Sequence, residues 1–158
     1  MKLDGPEFRR VLGHFVTGVT VVTTRDRSDA PAGLTANAFA SVSLDPPLVL
    51  VCIEKSSSTH ALIAAAGVFA VNVLADGQER ISRRFADETE GRFEGVAWRA
   101  EITGAPVLDD VLAWVDCRVH SACDGGDHTI YVGEVVAGDA REGVPLLFYR
   151  AGYGEFMP

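Results

Sequence analysis

A chain of 158 residues, 47% hydrophobic and 23% charged, has the size of one domain and enough apolar mass for a core. It is expected to form a single domain over residues 1–158. A formal net charge of −8 argues against nucleic acid as a general partner, because counterion release needs a basic surface. No apolar run reaches the ~18 residues of a membrane span, and the start Met1–Pro6 lacks the apolar core of a secretory signal. The three cysteines, Cys52, Cys117 and Cys123, have neither CxxC nor zinc spacing, so free thiols in a cytoplasmic protein are expected.

Asp4 suits a helix cap and Pro6 a first turn. Phe8, Val11, Leu12, Phe15 and Val16 then recur at helical spacing, which predicts a helix from about Pro6 to Thr17, ended by Gly18. The β-branched run Val19–Thr24 predicts a strand. Next comes a stretch of small and hydroxylated residues, Gly33–Ser43, followed by Asp45-Pro46-Pro47 and the apolar run Leu48–Ile53. Strands are expected near Ala32–Phe39 and over Leu48–Ile53. The second is expected to be buried on both faces, as in a closed barrel. Small residues let a flat ligand approach the backbone, and Thr35, Asn37, Ser41 and Ser43 offer hydrogen bonds to a polar ring edge.

Lys55-Ser56-Ser57-Ser58 leads into an alanine-rich helix that stops at Gly67. The free N–H groups of such a helix start attract anions. One serine can be the N-cap and the others solvated, but beside the preceding stretch a phosphate site is the favoured reading. A strand over Val68–Leu74 follows. Asp76-Gly77-Gln78-Glu79 has capping-box spacing, and the next helix carries Arg80, Arg83 and Arg84 opposite Ile81 and Phe85. Those arginines are either a solvated face or reach a ligand phosphate or ribityl chain. Asp87–Ala105 is expected to be irregular. A strand over Ala113–Ala122 alternates Val115, Cys117, Val119 and Ser121 with Asp116, Arg118 and His120, so the second set is expected to face outward. The turn Asp124–Asp127 leads back into Thr129–Val136, Gly138–Gly143 turns again, and Pro145–Tyr149 is the last expected strand, with Arg150–Gly154 a loop. Many short strands, few helices and no βαβ alternation point to a closed antiparallel barrel, and the lack of a GxGxxG loop argues against a Rossmann unit.

Four blocks in this order resemble the flavin reductase family: Phe15–Thr23, Gly33–Val51 with Lys55–Ser58, Gly126–Val135, and Pro145–Tyr149 with Tyr153-Gly154. The resemblance implies a mainly β fold, a split β-barrel of FMN-binding type with a few peripheral helices. It implies NAD(P)H-dependent reduction of FMN or FAD by hydride transfer to flavin N5, and a homodimer that supplies a partner oxygenase with reduced flavin. NADH or NADPH is the co-substrate. The cofactor-binding set it implies is Thr17, Gly18, Thr35, Ala36, Asn37, Ser41, Lys55, Ser56, Ser57, Ser58, Arg84, Phe85 and Tyr153. His128, in Gly126-Asp127-His128, matches the family histidine that faces the nicotinamide nucleotide, and Tyr153 either closes over that nucleotide or packs at an interface. Arg150-Ala151-Gly152 departs from the family pattern, which tends to carry a further basic residue before the tyrosine. A flavin carrier without efficient nucleotide turnover is the competing reading, and a split-barrel amine oxidase a more distant one. The scattered histidines suggest no metal site.

Overall fold

The computed structural model describes residues 2–158, and these form three helices and twelve strands. Asp4 caps α1 (Gly5–Leu12) through its carboxylate, which accepts Glu7 N–H at 2.9 Å. The helix ends five residues earlier than its apolar periodicity predicts. The chain turns at Gly13, whose carbonyl accepts Arg150 N–H, and the short strand β1 (Thr17–Gly18) pairs with β11 (Leu146–Tyr149). Pairing to a distant strand thus removes Thr17 from the helix.

The main sheet has seven strands. In spatial order they are β3 (Pro31–Ala36), β2 (Thr20–Arg25), β6 (Val68–Val73), β9 (Ala113–Gly125), β10 (His128–Ala140), β5 (Leu48–Glu54) and β4 (Phe39–Ser43), all antiparallel. The predicted single strand Ala32–Phe39 is therefore two strands, separated by Asn37-Ala38. β3 and β4 are the two edges of the row, each paired to one neighbour only. Yet they are consecutive in the chain, so the sheet curves enough for the end of β3 and the start of β4 to be joined by Asn37-Ala38 alone. Ala38 carbonyl accepts Cys52 N–H from β5 at this seam.

β2 and β6 are buried on both faces, whereas β5 alternates: Val49, Val51 and Ile53 are buried, and Leu48, Leu50 and Cys52 are half-buried. One core cluster includes Val22, Val51, Ile53, Ile63, Phe69, Val71, Cys117 and Tyr131, a second includes Val21, Leu74, Phe85, Leu108 and Leu146, and a smaller third joins Val68, Ala70, Ala105 and Val107. Each large apolar side chain buried this way contributes about 1.5–3 kcal/mol. Gly133 on β10 is forced by this packing, because a Cβ there would lie 2.5 Å from Phe69 Cζ and 2.9 Å from Cys117 Cβ.

α2 (Ser58–Ala66) has Ser57 as N-cap and Gly67 as a left-handed C-cap with φ 68°. α3 (Glu79–Asp87) does not use the predicted capping box. Gln78 is its N-cap without a side-chain bond, and Gln78 Oε1 instead accepts Ala75 N–H at 2.8 Å. The segment expected to be irregular contains a short strand, β7 (Trp98–Ala100), which pairs with β8 (Pro106–Leu108) just beyond it. Asp116, expected to face outward, is fully buried. Its carboxylate accepts Ile102 N–H and Thr103 N–H, each at 2.9 Å, and the Thr103 hydroxyl. A buried carboxylate persists because three donors replace its water.

The β9–β10 hairpin is longer than predicted, since β10 continues to Ala140 through the expected turn at Gly138. Arg150–Gly154 is no loop. β12 (Gly152–Glu155) pairs back onto β11, and Arg150 and Ala151 make the two-residue turn with φ 49° and 62°. This is the left-handed geometry that hairpin turns demand.

Candidate functional site

The predicted residues gather into two groups. The first lies where β1, β3, α3 and β12 meet. Thr17, Phe148 and Tyr153 stand in register across β1, β11 and β12. The Phe148 and Tyr153 rings meet edge to face at 5.4 Å, and the Arg83 guanidinium lies 4.8 Å from the Tyr153 centroid. Tyr153 Oη is 2.7 Å from Ser82 Oγ, and the Thr35 hydroxyl donates to Ser82 carbonyl at 2.6 Å. Thr35 can therefore offer a ligand only acceptor lone pairs, because its single hydrogen is engaged.

Gly33 and Phe85 form the support beneath Thr35. A Cβ at Gly33 would lie 3.3 Å from Phe85 Cε1, and Phe85 is fully buried. Phe85 thus has no surface to give a ligand, and its part is to pack under β3. Arg84 donates to Glu94 carbonyl and lies 4.0 Å from Glu88, so it holds the loop after α3. Arg83 is paired with Glu79 at 2.7 Å. Arg92, which the sequence does not single out, donates to Gly33 carbonyl at 2.6 Å and to Glu88 carbonyl. Ala36 carbonyl accepts the Thr20 hydroxyl. Asn37 lies exposed at the seam between the sheet edges, and Ser41 is exposed on β4 beside a bulge at Val42.

The second group lies where β5 ends, α2 begins and the β9–β10 hairpin turns. Ser57 Oγ accepts His60 N–H at 3.2 Å, which leaves the serine hydroxyl hydrogen free to donate outward. Ser56 and Ser58 are exposed. Lys55 Nζ pairs with Asp124, whose carboxyl is held below the usual range by that contact. Lys55 N–H also donates to Asp127 carbonyl across the strands. His128 opens β10, and its Nδ1 is 2.7 Å from Asp127 Oδ1. A carboxylate can only accept, so Nδ1 carries the hydrogen and Nε2 is left unengaged by this pair. The same bond holds the Asp127 carboxyl below its ordinary value. His60 is structural: Nε2 is 2.8 Å from Thr129 Oγ1 and its ring lies 5.7 Å from that of Tyr131.

This donor set fits a phosphorylated, polar ring system. Thr17 Oγ1 is a buried side-chain oxygen with no partner, the one such atom among the described residues, and no atom would crowd a Cβ at neighbouring Gly18 within 4 Å. Free hydroxyls stand at a capped helix start, where backbone N–H groups point outward. Among the described residues no cluster of three or more His, Cys, Asp or Glu could hold a metal, and no helix is long and apolar enough to cross a membrane.

Ser82, which links Thr35 to Tyr153, is not singled out by the sequence. Its signal was present: it lies three residues before Phe85, on the buried stripe of an otherwise charged helix. A hydroxyl on such a stripe needs a partner.

Residues 12–157 match the model of the flavin reductase like domain. A probable flavin reductase of Rhizobium meliloti is 45% identical over 155 residues, 98% of this chain and 49% of that protein. The reductase subunit of a flavin-dependent monooxygenase from Rhodococcus jostii is 43% identical over 157 residues, 99% of this chain and 80% of that protein. Among solved structures, the NADH:FAD oxidoreductase of Streptomyces globisporus in complex with NAD and FAD fragments superposes with a TM-score of 0.90 at 42% identity. The match covers 100% of this chain and 98% of that one.

Proposed function

The chain belongs to the flavin reductase like domain family, and from that premise we propose that the two groups of residues form one flavin and nucleotide site. Its reaction is the NAD(P)H-driven reduction of flavin, which supplies reduced flavin to a monooxygenase partner. Bound together, the two cofactors supply the chemistry themselves, a hydride donor and the N5 acceptor, so the chain needs no nucleophile. Its own residues bind and orient.

Thr35, Ala36, Asn37 and Ser41 line the ring and ribityl portion, with Thr35 acting as acceptor. Ser56, Ser57 and Ser58, with the α2 N–H groups, hold a phosphate, and Lys55 adds positive charge nearby. Thr17 and Gly18 offer an unengaged hydroxyl and open space beside Tyr153. His128, oriented by Asp127, turns Nε2 toward the nucleotide. The observation that carries this reading is the joining of Thr35 and Tyr153, from distant parts of the chain, through Ser82, with Thr17 in register with Tyr153 across Phe148. FAD with NADH, the pair of the Streptomyces relative, is the first to test.

The curving of the sheet that lets Asn37-Ala38 alone join β3 to β4 supports a split barrel. Residues 1–158 act as one domain in this reading. The α1 segment supports a homodimer: no residue of α1 is buried, while Phe8, Leu12 and Phe15 are 54%, 51% and 77% exposed. A helix of this length is marginal unless its apolar face is covered. Three free thiols suit a cytoplasmic location.

The testing experiment follows NADH and NADPH oxidation with FMN, FAD or no added flavin, for the natural protein and His128→Ala. Turnover should rise and saturate with added flavin, and His128→Ala should raise the nucleotide KM alone. Flavin binding without turnover for any pair refutes the reading in favour of a carrier.

A further inference from the structure

Ser82 lies inside α3 and is fully buried. Its N–H donates to Gln78 carbonyl, as in any helix. Its hydroxyl and the outward lone pair of its carbonyl reach beyond the helix. The hydroxyl meets Tyr153 Oη on β12, and the carbonyl accepts the Thr35 hydroxyl on β3. Both partners are residues of the proposed site, and both contacts are short, 2.7 and 2.6 Å.

We propose that Ser82 is a positioning residue for flavin reduction, whose hydroxyl fixes the Tyr153 ring at the nucleotide side while its carbonyl fixes Thr35 at the flavin side. The inference rests on the reading of Tyr153 and Thr35 as site residues. Tyr153 is close to the chain end, beyond the left-handed turn Arg150-Ala151, and backbone pairing holds only its strand. Strand pairing does not fix a χ angle. The ring is oriented by Ser82 at its oxygen, by Phe148 at its edge and by Arg83, itself anchored on Glu79. Of these, Ser82 is the one that also hydrogen-bonds Thr35. A free Tyr153 ring would have to be ordered when nucleotide binds, which weakens binding without altering the hydride step.

The geometry separates the two roles. Ser82→Ala removes the hydroxyl and keeps the carbonyl, so only the Tyr153 end is released. Tyr153→Phe removes the same bond from the other side. Each variant should raise the nucleotide KM about five- to tenfold, with kcat within about twofold and flavin KM unchanged. The double variant should be no worse than either single, because one bond is lost in all three. Ser82→Thr, which restores a hydroxyl, should recover the nucleotide KM in the fraction that folds. Thermal melts run alongside keep the kinetics below unfolding.

A Ser82→Ala protein that raises both KM values alike, or whose effect adds to that of Tyr153→Phe, overturns the proposal. So does an unchanged Ser82→Ala beside a Tyr153→Ala protein with raised nucleotide KM. Should Tyr153→Ala itself leave both KM values untouched, the site reading fails first, and the proposal with it.

Discussion

Ser57 has two separable duties, and a pair of substitutions divides them. It caps α2 by accepting His60 N–H, and its free hydroxyl hydrogen faces the proposed phosphate. Ser57→Ala removes both. Losing the cap costs about 1 kcal/mol of stability. The cap distance of 3.2 Å is long for a hydrogen bond and places the loss at the lower end. Ser57→Asp keeps a capping acceptor and adds about 0.3–1 kcal/mol of favourable interaction with the helix dipole. Its stability should therefore equal or exceed that of the natural protein. A carboxylate ~4 Å from a phosphate, however, is repelled by about 4 kcal/mol at an effective dielectric of ~20. Discounting for exposure leaves about 2–3 kcal/mol, a loss of flavin affinity of roughly 30- to 150-fold. The assay is urea unfolding and flavin KM on the same three proteins, with FMN, FAD and riboflavin. Riboflavin has no phosphate, so its KM should change little. A stable Ser57→Asp protein with unaltered affinity for FMN and FAD would place the phosphate elsewhere and refute the argument.

Asp116→Ala leaves Thr103 N–H and the Thr103 hydroxyl without their buried acceptor, at about 1–3 kcal/mol each. A loss of about 4 kcal/mol by urea unfolding is expected, against about 1–2 kcal/mol for Asp116→Asn, and equal losses would contradict the assignment. Burial first, and Asp116 second, push the Cys117 thiol up to about 12. The folded chain therefore favours the thiol. Its stabilisation is complete below the unfolded value of ~8.5 and declines as pH rises toward the folded one. Urea midpoints should fall between about pH 8.5 and 11, and the fall should flatten in Cys117→Ala; an unchanged slope counts against it. At neutral pH a thiol reagent should modify exposed Cys123 first and Cys117 only on unfolding. Phe8→Asp with Phe15→Asp should convert a dimer to a monomer by light scattering; a protein that is monomeric before substitution removes the α1 interface.

What the sequence alone determined is what local chemistry decides. Asp4 and Ser57 cap helices because their side chains reach N–H groups three residues on, and Gly67 ends α2 by adopting positive φ. Strands β2, β5 and β6 followed from β-branched and apolar runs, and the hydroxyl-rich stretch was legible from composition. Resemblance added the family and the site list. Tertiary structure decided whatever depends on a distant partner. Thr17 leaves its helix for Phe148, and Asp116 turns inward because Ile102 and Thr103 bring donors. Gln78 abandons the predicted capping box for Ala75, and Arg84 is drawn off to Glu94. Tyr153 becomes an oriented ring through Ser82, 71 residues away along the chain. Periodicity and caps register forces within a few residues. The direction of a buried polar group is set by which donor or acceptor the fold brings to it, and only the assembled chain contains that partner.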